Sequence, residues 1–151
     1  MEDLEKFYQL YKGPGMEFME PLKDYGIEQE KLWSYIRNRY PFYGYGMWTV
    51  EDKETGQVIG RAGLEEREID GEEYTELGYM IHHLYRRNGI GLEICQAILE
   101  YAKHTLYIEE IHAFAHENNV ASKKLLEKLR FEFCEKVLDK NGVLCHYRRE
   151  L

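Results

Sequence analysis

Cysteine is scarce in this chain and irregularly placed. Cys95, Cys134 and Cys145 are odd in number and lack C-x-x-C spacing, which argues against both a disulfide framework and a structural zinc site. A reducing, cytoplasmic setting is expected. Long apolar runs are missing as well. Met1 to Leu10 is rich in Glu and has no apolar signal-peptide region, and no stretch approaches the ~20 apolar residues of a membrane span. Basic residues are outnumbered, 20 Lys and Arg against 28 Asp and Glu, for a net charge of −8. A field of that sign repels nucleic acid and anionic membrane and favours a cationic partner such as an amine. No repeat, low-complexity run or linker divides the 151 residues, so one domain spanning 1–151 is expected.

Aromatics, by contrast, are plentiful: 13 Tyr, 6 Phe and 2 Trp give amphipathic surfaces that line a cleft as well as fill a core. Leu4, Phe7, Tyr8 and Tyr11 recur at helical spacing and stop at Gly13-Pro14-Gly15. A second stripe, Leu32, Trp33, Ile36 and Tyr40, ends at Pro41. The period then changes. Met47–Val50 and Gln57–Gly60 read as strands, followed by an Asp70-Gly71 turn and a third strand, Tyr74–Ile81. Ile94, Ala97, Ile98 and Tyr101 mark a central helix, widened by Cys95, Leu99 and Ala102. After it come a strand, Ile111–Ala115, a short helix, Ala121–Leu129, and a hairpin turning at Asp139-Lys140-Asn141-Gly142. The order is α-α-β-β-β-α-β-α-β-β. Strand, helix, strand in succession implies a parallel crossover, so the fold class is α/β with a mixed, mostly antiparallel sheet flanked by helices.

Arg86-Arg87-Asn88-Gly89-Ile90-Gly91 lies between the third strand and the central helix. A helix N-terminus offers unpaired N–H groups and the positive end of a dipole, and glycines let a phosphate approach the backbone. A pyrophosphate site is one reading of these six residues; a plain glycine turn before a helix is the other. A dinucleotide fingerprint fails, because no third glycine follows Gly91, and a Walker A loop fails for want of Gly-Lys-Ser/Thr.

Arg86-x-x-Gly89-x-Gly91 resembles the Q/R-x-x-G-x-G/A acyl-CoA signature of the GNAT N-acetyltransferase superfamily. Glu76–Ile81 looks like the family's fourth strand, and Asn118–Ser122 with Leu126–Phe131 looks like its E-N-x-x-S and E-K-L-G-F segments. The closest flavour is that of ribosomal-protein N-terminal acetyltransferases. The resemblance implies an acetyl-CoA cosubstrate without a metal, lying in a V-shaped opening between the family's fourth and fifth strands. Its pantetheine would pair with the backbone of Tyr79, Met80 and Ile81. Its pyrophosphate would sit on Arg86, Arg87, Asn88, Gly89, Ile90, Gly91 and Leu92, with Asn119 and Ser122 near the pantetheine or acetyl end. Both of these last two also read as ordinary helix caps.

The reaction implied is direct transfer of acetyl to a primary amine of a small molecule or a peptide N-terminus, without an acyl-enzyme. A lysine-like amine has a pKa near ~10.4, so a base assists at neutral pH, and Glu76 is the candidate. Its alternative reading is an exposed strand residue. Met80 or Ile81 is the expected N–H donor to the carbonyl oxygen. Three positions depart from the family pattern. Leu126 stands where relatives carry the tyrosine acid, Phe114 where some carry a fifth-strand glutamate, and Arg130 where a glycine precedes Phe131. The missing tyrosine leaves a non-catalytic acyl-CoA-binding module as the alternative. The family's first strand is also missing, so either the chain is shortened or another segment covers that sheet edge, which is otherwise a surface for homodimer formation. His112 and His116 read as structural, and His82 and His83 as residues on the substrate side.

Overall fold

Alternation along the strands sorts the chain onto two faces of one twisted sheet. The computed structural model describes residues 2–19, 21–140 and 142–151. Asn141, in the expected turn of the last hairpin, lies outside the described residues, as do Met1 and Glu20. The strands are β1 (Met47–Glu51), β2 (Val58–Ile69), β3 (Glu72–Ile81), β4 (Glu110–His116), β5 (Glu132–Asp139) and β6 (Gly142–Glu150). They lie in the order β1-β2-β3-β4-β6-β5, and only β3 and β4 run parallel. The helices are α1 (Glu2–Leu10), α2 (Tyr25–Ser34), α3 (Tyr40–Tyr43), α4 (Ile90–His104) and α5 (Val120–Lys128). Element order and the mixed α/β sheet agree with the pattern in the sequence.

Successive side chains of a strand leave on opposite faces. On β3, Leu77 and Tyr79 enter the larger core with Cys95, Ile98, Leu99 and Ala102 of α4 and Leu126 of α5. Met80 joins the smaller core with Leu4, Phe7 and Leu10 of α1. Each nearly buried α1 side chain contributes roughly 1.5–3 kcal/mol to docking that helix. The turn from β2 to β3 has both central residues at positive φ, Asp70 at 53° and Gly71 at 83°. That backbone twist suits a two-residue hairpin.

The second helix departs from its sequence pattern. Beyond α2 the chain passes through a π turn, Tyr35–Arg39, and continues into α3, which ends at Gly44 with φ 73°. Pro41 does not stop it. It stands at the start of α3, where a missing N–H is tolerated. The expected apolar stripe is not a packed face: none of these three segments has a buried residue, and Trp33 and Ile36 are 40% and 47% exposed. Leu32 alone of the stripe packs against the α1 cluster. Two of the aromatic side chains serve instead to fix the first residue of β1. Tyr35 Oη accepts a hydrogen bond from Met47 N at 2.7 Å, and Tyr40 Oη donates to Met47 O at 3.2 Å.

Among the described residues β1 has no strand on its outer side. Its inner side is close-packed at Gly63, where a Cβ would lie 2.0 Å from the carbonyl oxygen of Gly46. Because that obstacle is backbone, Gly63→Ala is expected to force β1 from β2 and to destabilise the fold by about 1–3 kcal/mol, read as a lower urea midpoint at unchanged slope.

Candidate active site

β2 accompanies β3 from Ile69↔Glu72 to Gly60↔Ile81, but β4 meets β3 at a single register point, Glu76↔His112. Past that point β4 is committed to β6, paired from Glu110↔Glu150 to His116↔Leu144. The parallel strands therefore part, and β3 from Leu77 to Ile81 has no strand beside it on that side. Such a wedge exposes backbone groups that an extended ligand can satisfy.

β3 leads through the 3-10 turn His83–Tyr85 to the N-terminus of α4, where Gly91 faces Leu125 of α5. Asp24, His82 and Asn119 cap α2, the 3-10 turn His83–Tyr85 and α5 with side-chain acceptors, whereas Gly89 caps α4 with none. The first-turn N–H groups are thus left for an anion. Arg87 and Gly89 both have positive φ, 64° and 79°. A Cβ on Gly89 would meet nothing within 4 Å, so glycine there answers to backbone conformation. At Gly91 a Cβ would stand in ordinary contact, 3.4 Å, with Leu125 Cδ2 of α5, so the position has room for a small side chain. Arg87 and Asn88 are exposed, while Ile90 and Leu92 are half-buried. Arg86 is turned elsewhere: its Nε donates to Ile81 O at 2.7 Å and its Nη2 to Gly15 O at 3.4 Å.

The wall on the α5 side joins three of the sequence-derived residues. Asn119 Oδ1 accepts from Ser122 N at 3.1 Å, the capping role. Ser122 Oγ lies 2.7 Å from Tyr79 Oη, so a hydrogen-bonded hydroxyl pair ties β3 to α5. Burial raises the Tyr79 phenol well above its ordinary value, and the bond to Ser122 pulls the other way. Tyr79 thus keeps its proton. Leu126 is fully buried among Leu77, Leu129 and Phe131, so its side chain belongs to the core and not to the wedge. Arg130 has φ 62°, the left-handed conformation for which its relatives' glycine is suited.

The opposite face carries charge. Glu76 is 7% exposed, and both its carboxylate oxygens lie 3.1 Å from Arg67 Nη1. Arg67 Nη2 in turn donates to Asp139 Oδ2 at 2.8 Å, and the guanidinium lies 4.9 Å from the Phe114 ring centroid. Glu76 is therefore not an exposed strand residue. Burial pushes its carboxyl up to about 7, Arg67 opposes that rise, and Glu65 adds to it. Beside this triad Phe114 stacks on His146 at 4.5 Å, and Tyr74 contacts both histidines edge-on. His112 Nδ1 and His146 Nε2 are 2.9 Å apart, so one of the two nitrogens carries the shared proton. His112 Nε2 lies 3.0 Å from Glu110. Burial lowers the pKa of both histidines.

Arg67, Asp139, Tyr74 and His146 were not singled out from the sequence. Their signal was weak. Arg67 and Tyr74 share a face through β2–β3 register, but His146 reaches His112 only because β6 inserts between β4 and β5. His116 packs on Phe18 at 5.2 Å and does not join the pair.

Because the folded Glu76 carboxyl titrates above its unfolded value, the stability it contributes is present in acid and lost as pH rises through about 7. Glu76→Gln lacks that titration. Relative to the variant, the wild-type protein is expected to lose on the order of 3 kcal/mol between pH 4.5 and 8, measured by urea unfolding.

Comparison with known proteins shows the same fold. YkkB of Bacillus subtilis (strain 168), an uncharacterized protein, is 27% identical over 155 residues, covering 99% of this chain and 89% of its own. The ribosomal-protein-S5-alanine acetyltransferase of Vibrio fischeri superposes with a TM-score of 0.79 at 15% identity, covering 99% of this chain and 88% of its own. A chimera of the spermidine N-acetyltransferase SpeG from Vibrio cholerae and hSSAT superposes with a TM-score of 0.76 at 17% identity, covering 99% and 92%. The profile of the acetyltransferase (GNAT) domain matches residues 1–132, and this chain belongs to the GNAT acetyltransferase family.

Proposed function

We propose that the enzyme is an N-acetyltransferase that takes acetyl-CoA into the wedge between β3 and β4 and acetylates a primary amine arriving on the α1–α2 face. The acceptor is a small-molecule amine or a peptide N-terminus. One observation carries the reading: a single β3–β4 register point opens directly onto a helix N-terminus with no side-chain cap.

The residues present fit the cosubstrate. The first-turn N–H groups of α4, with Arg87 beside them, would hold a pyrophosphate. The free side of Tyr79, Met80 and Ile81 would pair with the amide-bearing pantetheine arm. The thioester supplies an acetyl carbon open to attack by an amine. Arg86 fits a supporting place in the cradle, holding the end of β3 through Ile81 O. The Tyr79–Ser122 hydroxyl pair is the candidate proton donor in place of the tyrosine that Leu126 replaces.

Glu76 stays our candidate for drawing the proton from the acceptor ammonium. A carboxyl that titrates near 7 matches the operating pH of a general base, and Arg67 fixes its orientation. Nearby Glu65 and Asp139 give the face the sign that attracts a cation. Three unpaired cysteines accord with a cytoplasmic setting. Among the described residues no helix is long and apolar enough to cross a membrane.

Calorimetric titration with coenzyme A tests the cradle. Arg87→Gly keeps the positive φ while deleting the charge, and it is expected to weaken binding about tenfold and to flatten its salt dependence without changing the helix content. Release of free thiol from acetyl-CoA across a panel of amines tests the reaction. For an accepted amine, kcat/KM is expected to fall on the acid side with a midpoint near 7, and Glu76→Gln to remove that limb and about 100-fold of rate. Tight binding with no release on any amine or peptide would favour the non-catalytic module.

A further inference from the structure

The Gly13-Pro14-Gly15 turn, between α1 and α2, is pressed against the segment that leads into the proposed phosphate cradle. Both glycines face it. A Cβ on Gly13 would stand 2.4 Å from His83 Nδ1, and a Cβ on Gly15 would stand 2.0 Å from Arg86 Nη1. Gly15 also has φ 80°, where a side chain is strained in any case. His83 Nδ1 is buried and has no hydrogen-bond partner among the described residues, which is the state of a ring nitrogen sealed by the turn above it. His82, its neighbour at 4.3 Å between ring centroids, is pushed down in pKa by burial and then by His83 and Arg86. Just past the turn, Met16 buries itself beside Met80 of β3.

Arg86 joins these parts. Its guanidinium donates to Ile81 O, at the end of the wedge strand, and to Gly15 O, in the turn. One residue on, Arg87 opens the exposed, positive-φ part of the cradle. A ligand that immobilises residues 87–92 therefore immobilises the anchor of Arg86, and Arg86 transmits that constraint to the α1–α2 segment. A side chain on Gly13 would press on the His83 ring, and one on Gly15 would displace the Arg86 guanidinium and strain the backbone at φ 80°.

From this contact we infer that His83 and Arg86 are positioning residues. They couple occupancy of the cofactor cradle to the ordering of the turn and of residues 16–19 that follow it, where Met16 packs beside Met80 and Phe18 on His116. The glycines at 13 and 15 are what allow so close a contact. Coupling of this kind needs no second conformation of the sheet, because binding that orders one segment lowers the cost of ordering the segment fastened to it. The inference rests on the reading of α4 as the pyrophosphate site.

Hydrogen exchange with coenzyme A as the only probe tests it without requiring an acceptor. In the wild-type protein, saturating coenzyme A is expected to slow exchange at residues 87–93, and also at residues 12–19 by about fivefold or more. In Gly15→Ala and in Gly13→Ala, which cut the contact at Arg86 and at His83 respectively, slowing at 87–93 is expected to persist while that at 12–19 falls below about twofold. Equal slowing at 12–19 in wild type and both variants would overturn the inference, and so would wild-type slowing confined to 87–93. No slowing anywhere at saturating coenzyme A would instead overturn the cradle itself, and the coupling with it.

Discussion

β4 pairs along its whole length with β6 and touches its other neighbour, β3, at one register point. From Glu110 to His116 every residue of β4 has a register partner on β6, while β3 receives one, His112 against Glu76. A parallel pair cannot stay open in the middle of a sheet unless something else satisfies the groups it leaves, because an unpaired buried N–H or C=O costs about as much as a lost hydrogen bond. The rest of the molecule is arranged around that opening. α4, which connects the parted strands, presents an uncapped N-terminus at its mouth. α5 closes one wall through Ser122 and Tyr79, and the Glu76–Arg67–Asp139 triad lies where the strands meet.

The two faces of the sheet divide the work. Toward α4 and α5 the side chains are apolar and close-packed, and the fully buried Leu126 shows how little room the core leaves there. Toward α1 the sheet carries buried charge and stacked rings. Buried ion pairs are poor sources of stability, since desolvation offsets much of the attraction. Holding Glu76 in a buried, arginine-clamped position near 7 is thus better understood as a chemical arrangement than as a structural one.

The succession of strands and helices along the chain was legible in the sequence because alternation and helical spacing are local. The loop ahead of α4 was legible for the same reason, its glycines and arginines lying within six residues. What could not be read depends on long-range placement. Arg86 looked like a phosphate ligand by its neighbourhood, yet its guanidinium reaches back to Gly15 across the α1–α2 turn. The Trp33–Ile36 stripe has helical spacing, but a π turn rotates the chain and no other element covers it, so it is exposed. Asp139 and His146 reach Arg67 and His112 through the order of β5 and β6 in the sheet, which local pattern does not encode.

The central claim is that the wedge between β3 and β4, opening onto α4, is where the cosubstrate lies. Amide chemical shifts followed through a coenzyme A titration test it most directly. The account requires that Gly78–Ile81 and Ile90–Leu92 shift together along one binding isotherm while β1 stays unmoved. Saturable binding whose shifts instead fall along β1 and the outer side of α4, around Trp48 and Tyr101, would contradict it.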